Sequence, residues 1–168
     1  MRIIGIDPGY AIVGFGIIEY ENSKFKTIDY GAITTPAGMD FNKRLKTIYE
    51  DLCQILDTYK PESLAIEKLY FQNNQKTAID VAEARGVILL AAIQRNLLIR
   101  EYTPLEVKKS ITGYGQAVKK QVQEMTKRVL HLLEIPKPDD TADALAIAVC
   151  HAHTDNSLLA GFSKKDFN

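Results

Sequence analysis

Residues 2–20 read Arg-Ile-Ile-Gly-Ile-Asp-Pro-Gly-Tyr-Ala-Ile-Val-Gly-Phe-Gly-Ile-Ile-Glu-Tyr. The β-branched run over 2–7 predicts a buried strand, and the Pro-Gly pair that follows it predicts a turn. Residues 12–20 predict a second strand and residues 25–33 a third, because both are rich in β-branched and aromatic residues. These three segments predict an antiparallel meander at the N-terminus.

After the meander, strand and helix patterns alternate along the chain. The predicted strands are 63–67 and 97–102. The predicted helices are 40–60, 76–94, 118–133 and 140–153, with a helical turn at 104–110. A meander followed by alternating strands and helices predicts an α/β domain with a mixed five-stranded sheet flanked by helices. We expect this domain to cover residues 1–154, and the polar residues 155–168 to form a flexible C-terminal tail.

Composition and charge exclude some classes of protein. The chain has 168 residues, 46% of them hydrophobic, which is enough for one globular domain. It has 21 Lys and Arg against 21 Asp and Glu. This balance excludes a protein that coats nucleic acid by its overall charge, so a nucleic-acid partner would need a local basic face.

The sequence also predicts where the protein resides. No apolar run approaches the roughly 20 residues that cross a bilayer, so we expect no membrane partner. Asp7 interrupts the apolar N-terminus too early for a signal peptide. Cys53 and Cys150 lie far apart in no ligand-like spacing. We therefore expect a cytoplasmic protein with reduced thiols.

Four carboxylates have an unusual distribution. Asp7 and Glu67 each end a predicted buried strand, and Asp140 and Asp143 share one face at the start of the last helix. Each has a structural alternative: a cap on the turn after Asp7, a charge reaching solvent at Glu67, or a helix N-cap. Together the four could converge at one sheet edge and bind one or two Mg²⁺ or Mn²⁺ ions. Two such ions can promote phosphodiester hydrolysis.

A basic segment and a pair of aromatics are candidate nucleic-acid contacts. Residues 95–128 hold eight Lys or Arg against three acids. Lysines flank the loop 113–115 and could clamp phosphates, although an ordinary solvated helix face remains the alternative. These lysines are Lys108, Lys109, Lys119 and Lys120. Tyr70 and Phe71 are adjacent, so one can fill the core while the other stacks on an unpaired base.

Several motifs together resemble the RuvC Holliday junction resolvases over residues 2–154. The matching motifs, in chain order, are Gly5-Ile6-Asp7-Pro8-Gly9, Gly14-Phe15-Gly16, Ala65-Ile66-Glu67, Tyr70-Phe71, Asn74, Glu83-Ala84-Arg85-Gly86, Val107-Lys108, Gly113-Tyr114-Gly115, Lys119, Gln121-Val122-Gln123 and Asp139-Asp140-Thr141-Ala142-Asp143. Any one of them is weak, but all of them in order at matching spacing are specific.

The resemblance implies a ribonuclease H-like fold and a homodimer. It also implies a metal-dependent, structure-selective endodeoxyribonuclease that resolves four-way junctions by symmetric paired nicks in homologous recombination and DNA repair. Two Mg²⁺ ions per active site, for which Mn²⁺ substitutes, are the implied cofactors. The implied partners are four-way junction DNA and the RuvA-RuvB branch-migration complex.

The resemblance also implies roles for individual residues. The four acids become metal ligands and catalytic residues, with Asp140 and Asp143 unranked. Lys108 and Lys119 are expected near the metals, where each could bind a phosphate or stabilise charge on the scissile phosphate. Tyr70 is the favoured stacking residue. The helix over 76–94 is apolar enough to form either the dimer interface or part of the core.

Three other classes of protein were weighed against this interpretation. Actin-like sugar kinases also open with Asp-x-Gly after a strand, but they need a second lobe with a second such motif. The small RuvC-like nuclease of ribosomal RNA processing is shorter and lacks the basic segment. A non-catalytic junction-binding module should have lost an acid, whereas all four are present here.

Overall fold

The computed structural model describes residues 1–69 and 75–162, and over 75–76 and 156–162 it describes the backbone alone. The strands are β1 (Arg2–Asp7), β2 (Ile12–Glu21), β3 (Lys24–Thr34), β4 (Ser63–Glu67) and β5 (Leu98–Tyr102). The helices are α1 (Phe41–Tyr59), α2 (Gln75–Ile93), α3 (Pro104–Thr112), α4 (Lys119–Val129) and α5 (Asp139–Phe162).

The five strands form one mixed sheet in the order β3-β2-β1-β4-β5. The meander β1-β2-β3 is antiparallel, and β4 and β5 extend the sheet in parallel beyond β1. Ile6 pairs with Ile66 across the β1–β4 ladder, so Asp7 and Glu67 follow at the same level. The carboxyl ends of these two neighbouring strands therefore deliver two acids to one edge of the sheet, as the sequence predicted.

Successive residues of the strands point to opposite faces of the sheet, and a hydrophobic core lies on each face. Ile3 and Ala65 pack with the helices α3, α4 and α5 on one face. Ile4 and Leu64, which are the chain neighbours of Ile3 and Ala65, pack with α1 and α2 on the other face. The helix α5 lies directly on β1 and β2. Its first turns, which carry the remaining acids, therefore lie at the sheet edge where β1 ends.

Glycines let α5 approach the sheet more closely than any other residue would. A Cβ on Gly14 would lie 2.0 Å from the carbonyl oxygen of Asp140, and one on Gly5 would lie 2.1 Å from that of Ala144. Thr141 adds a hydrogen bond from its hydroxyl to the Gly31 carbonyl on β3, at 3.0 Å. Backbone contact and this hydrogen bond fix the start of α5 over the sheet.

The substitution Gly14→Ala is expected to displace α5 by about an ångström and so to move its acids away from Asp7. The nuclease activity that the resemblance implies should then fall by about 100-fold. Single-turnover nicking of a DNA substrate measures the effect, and circular dichroism checks the fold. Gly31→Ala is the matched control, since its new methyl would approach the Phe15 ring at 3.0 Å and no atom of α5. Equal activity of both variants would contradict the positioning role of Gly14.

The structure differs from the predicted end of the last helix. The helix α5 continues to Phe162, nine residues beyond the end predicted at residue 153. The hydroxyl of Thr154 donates to the Cys150 carbonyl within the helix, and no Pro or Gly follows before Gly161. Nothing in the local sequence therefore stops the helix at Thr154. Residues 163–168 lie outside the described part, so the division into domain and tail stays a prediction.

Two helices between β5 and α5 also differ in length from the sequence prediction. The predicted helical turn is the full helix α3, with a capping box between Thr103 and Glu106. The helix α4 ends at Val129 because His131 takes a left-handed conformation with φ of 54°. No helix in the part of the chain that is described is long and apolar enough to cross a membrane. Both cysteines are free.

Candidate active site

Three of the predicted acids meet at the carboxyl end of β1. Asp7 and Glu67 end adjacent parallel strands, and Asp143 approaches them from the second turn of α5. Asp7 hydrogen-bonds to Glu67, and the charge of Asp143 acts on both side chains. All three side chains are partly buried, so the sheet edge holds a compact cluster of carboxylates.

Burial and mutual repulsion make these carboxylates poor anions in the absence of a cation. Burial is the largest effect on Asp7 and, with repulsion from Glu67, Asp143 and Asp140, it raises the pKa of Asp7 to about 8. Burial and the charge of Asp143 likewise raise the pKa of Glu67. Burial raises the pKa of Asp143, and Lys119 opposes that shift. Groups shifted in this way by burial and like charge are typical of functional sites.

A lysine already supplies positive charge to the cluster. The Nζ atom of Lys119 lies 2.7 Å from Oδ2 of Asp143 and 3.7 Å from Oδ2 of Asp139. Lys137 also contacts Asp139, with 2.6 Å between Nζ and Oδ1. Asp139 had no predicted role, although its position beside Asp140 in the sequence is a signal that could have found it.

A cavity of about 180 Å³ lies beside the acids, between β4, α3, α4 and α5. Its polar lining consists of Glu67, Asp143, Lys108 and Lys119. Its apolar lining consists of Pro104, Val107, Val122, Ala146 and Ile147. The two lysines that the resemblance placed near the acids therefore do lie there.

The other predicted contacts take different positions. Asp140 lies close enough for its charge to raise the pKa values of Asp7 and Asp143. The cavity, however, is lined by Asp143 and not by Asp140. Lys109 and Lys120 are exposed on the outer surface of α3 and α4. Tyr70 and Phe71 lie outside the described residues.

The donor set suits a hard divalent cation, since it consists of carboxylate oxygens that repel one another. Within the residues that the structure describes, no three His, Cys, Asp or Glu side chains stand in a ready metal-binding arrangement. Asp143 contacts Lys119, and Asp7 contacts Glu67. The acids would therefore have to turn from these partners to share an ion.

The histidines of the last helix have structural hydrogen bonds. His151 is buried between the Tyr102 hydroxyl at 2.7 Å and Ser63 Oγ at 3.0 Å, so it joins α5 to β4 and β5. His153 contacts Ser110 Oγ at 3.1 Å. Neither histidine was predicted to belong to the site, and both make hydrogen bonds that join α5 to neighbouring elements.

The buried His151 predicts an acid-sensitive step in stability. Burial lowers its pKa below the ordinary value of 6.5, with Asp155 and Arg100 as opposing minor influences. The unfolded chain therefore takes up the proton first, and the free energy of unfolding should fall as pH drops below 6.5. Thermal melts from pH 5 to 8 should show this slope reduced in His151→Asn. The exposed His131→Asn should keep the wild-type slope, and equal slopes for both variants would contradict the assignment.

Comparisons with known proteins identify the family. The family model for crossover junction endodeoxyribonuclease RuvC matches residues 3–151. The curated RuvC of Alkaliphilus oremlandii is 57% identical over 156 residues, which are 93% of this chain and 95% of that protein.

Solved structures agree with this match. The Thermus thermophilus RuvC structure superposes with a TM-score of 0.87 and 31% identity, covering 94% of this chain and 96% of that one. The structure of T. thermophilus RuvC in complex with Holliday junction substrate gives a TM-score of 0.86 at 29% identity, with the same coverage. The expected ribonuclease H-like fold is thereby confirmed. Because the family model spans residues 3–151 and the relatives match nearly the whole length at more than half identity, the chain belongs to the RuvC family of crossover junction endodeoxyribonucleases.

Proposed function

We propose that the cluster of Asp7, Glu67 and Asp143, with Asp140 beside it, is the site at which this protein hydrolyses phosphodiester bonds of four-way DNA junctions. The convergence of three partly buried carboxylates where β1, β4 and the start of α5 meet carries the proposal. Membership of the RuvC family makes the protein a metal-dependent nuclease of DNA recombination and repair. The acids supply the oxygen ligands that such a nuclease needs.

Two Mg²⁺ ions per site, replaceable by Mn²⁺, are the proposed cofactors. When bound, they supply an activated water and neutralise charge at the leaving oxygen. Asp7 and Glu67 would hold them from the rigid sheet, and Asp143 would hold them from α5. The close contact of α5 with Gly14 keeps these donors at a fixed separation. Asp140 is the outlying member of the set.

The lysines would act on the DNA rather than on the metals. Lys108 and Lys119 line the cavity beside Glu67, so their ammonium groups can reach a phosphate placed over the acids. There they would stabilise negative charge that develops during cleavage. Lys109 and Lys120, which are exposed on the outer surface, would bind phosphates further along the strands. Tyr70 and Phe71 remain the proposed aromatic DNA contacts, with Tyr70 favoured for stacking on an unpaired base.

A homodimer is the proposed assembly, with α2 as its interface. Sequence analysis left α2 open between core and interface, and the helix has a face suited to each. Its inner face is buried through Ala84 and Ile88. Its outer face presents Ile79, Leu90 and Ile93, which are 66%, 51% and 63% exposed. A second copy covering this apolar face would give a dimer whose two active sites are related by a two-fold axis. Two such sites match the two cuts that junction resolution requires.

Leu90→Glu is expected to convert the dimer to a monomer, because a charge in the centre of an apolar interface is not solvated there. Analytical ultracentrifugation measures the mass, and a cruciform plasmid distinguishes paired cuts from single nicks. The variant should nick strands singly. Leu133→Glu, at a leucine 98% exposed, is the control and should behave as wild type. A dimeric Leu90→Glu protein would contradict the proposed interface.

The RuvA-RuvB complex and a cytoplasmic location complete the proposal by family resemblance. The decisive experiment incubates the purified protein with a labelled synthetic four-way junction, with and without Mg²⁺, beside a linear duplex of the same sequence. Symmetric nicks in the junction that depend on the metal are expected. Equal cleavage of the duplex, or no cleavage of the junction, would overturn the proposed function.

A further inference from the structure

The loop between α3 and α4 presents an aromatic side chain that the proposed active site does not use. Tyr114 is 61% exposed, and it directly follows Gly113, the C-cap residue of α3. Leu105 at 50% and Val118 at 61% exposure belong to the same two helices and their connection. Scattered apolar residues are normal on a surface, so the exposed ring matters here for its setting: Leu105 reaches the loop at Gly115, and lysines lie on both helices that the loop connects.

The backbone that carries Tyr114 is held firmly. Its amide donates to Thr112 Oγ1 at 3.1 Å, and its carbonyl accepts from the Thr112 hydroxyl at 3.0 Å and from the Ala117 amide at 3.2 Å. Gly115 packs so tightly that a Cβ there would lie 2.6 Å from a Leu105 methyl and 3.0 Å from Lys109 Cε. The hydrogen bonds therefore fix the backbone from which the ring projects, which lowers the part of the ordering cost that the backbone would contribute.

The charge around this ring suits DNA. Lys109 lies on α3 shortly before the loop, and Lys120 lies in the first turn of α4 shortly after it; both are exposed. Lys108 and Lys119, their neighbours in the chain, line the cavity beside Glu67 and Asp143. The loop thus connects two helices that both border the proposed active site. A phosphate backbone crossing these lysines would bring its bases to an exposed aromatic ring.

We propose that Tyr114 stacks on an unpaired nucleobase of the bound junction, as a contact separate from that of Tyr70. This inference rests on the proposed function. A ring on a fixed loop between two lysine-bearing helices combines the two elements of single-strand binding: cations that follow the backbone and a platform for a base. The paired bases of a linear duplex are stacked on one another, so the contact favours DNA in which pairing is interrupted.

The first test measures affinity for a synthetic four-way junction in EDTA as a function of salt. Tyr114→Ala should weaken binding by about 5- to 150-fold with an unchanged salt slope, because no charge is removed. Tyr114→Phe should bind as wild type. Lys109→Ala should instead reduce the salt slope by about one unit. Tyr30→Ala, a tyrosine 39% exposed on β3, is the matched control and should have no effect.

The second test detects stacking directly. The chain contains no tryptophan, so Tyr114→Trp creates a single fluorescent reporter. Its emission should be quenched by the junction and much less by a linear duplex of equal length. Equal quenching by both, or wild-type affinity of Tyr114→Ala, would overturn the proposal.

Two further outcomes separate the alternatives. If Tyr114→Ala changes the sedimentation coefficient rather than the junction affinity, the surface around Tyr114 is a protein interface and the DNA proposal is wrong. If wild-type protein fails to prefer the junction over the duplex, the proposed function itself fails. Preference by the wild type with an inert Tyr114→Ala would leave that function standing and reject the stacking contact alone.

Discussion

Asp7→Asn is expected to abolish cleavage of four-way junctions while junction binding survives. The amide keeps the shape of the side chain but removes a negative charge at the end of β1, where the carboxylates of Glu67 and Asp143 converge. A gel-shift titration in EDTA measures binding, and single-turnover nicking in Mg²⁺ measures cleavage. Nicking at the wild-type rate would disprove the metal-site assignment. Loss of binding together with loss of fold would instead support a capping role for Asp7 at the turn that follows it.

The same substitution should stabilise the protein in the absence of metal. Burial raises the pKa of Asp7 from 3.8 to about 8, so the folded state holds a proton that the unfolded chain releases. The free energy of unfolding therefore decreases as pH rises between these values, and a neutral Asn removes this decrease. Thermal melts at pH 8 in EDTA should show a higher Tm for Asp7→Asn. The exposed Asp51→Asn is the control and should melt as wild type.

A divalent metal ion should stabilise the wild-type protein more than Asp7→Asn. A cation bound only by the folded state raises its stability, so millimolar Mn²⁺ should raise the Tm of wild type more than that of Asp7→Asn. A wild-type Tm indifferent to Mn²⁺ would count against convergence of the acids on an ion.

Lys119→Ala is expected to lower cleavage by about 100-fold with nearly unchanged junction affinity. Its ammonium group lies 2.7 Å from Asp143 in the cavity beside Glu67, where a scissile phosphate would develop charge. One phosphate contact among many adds little to binding, but a positive charge at the reacting group acts on the rate. Affinity against salt and single-turnover cleavage separate the two effects.

Two other variants serve for comparison in the same assays. Lys108→Ala tests the second lysine that lines the cavity, and Arg128→Ala tests an exposed cation far along α4. Arg128→Ala should have only a small effect in both assays. If Lys108→Ala and Lys119→Ala match wild type in both assays, the basic segment is a solvated face and the assignment of DNA contacts is wrong. A smaller salt slope with unchanged cleavage would make them phosphate anchors instead.

The hydrophobic pattern of the sequence predicted the strands better than the ends of the helices. The strands 2–7 and 63–67 were predicted with the bounds observed, because short β-branched runs ended by turns or acids have few alternatives. Helix ends were predicted less well. The structure extends α5 to Phe162 because no Pro or Gly stands between Thr154 and Gly161, and it ends α4 at Val129, where neither residue marks the end. The family was also predicted from motif order, and the comparisons confirm it.

The sequence by itself determined that acids stand at the ends of two strands and at the start of a helix. It did not rank Asp140 against Asp143, because both lie on one helix face and only the approach of α5 over Gly14 turns Asp143 toward the cavity with Glu67. It also did not reveal that Lys119 contacts Asp143, since the two residues are 24 positions apart. Strand ends follow from local propensity, whereas distances between side chains on different elements depend on how those elements pack. The tertiary structure alone therefore decided which charges face one another.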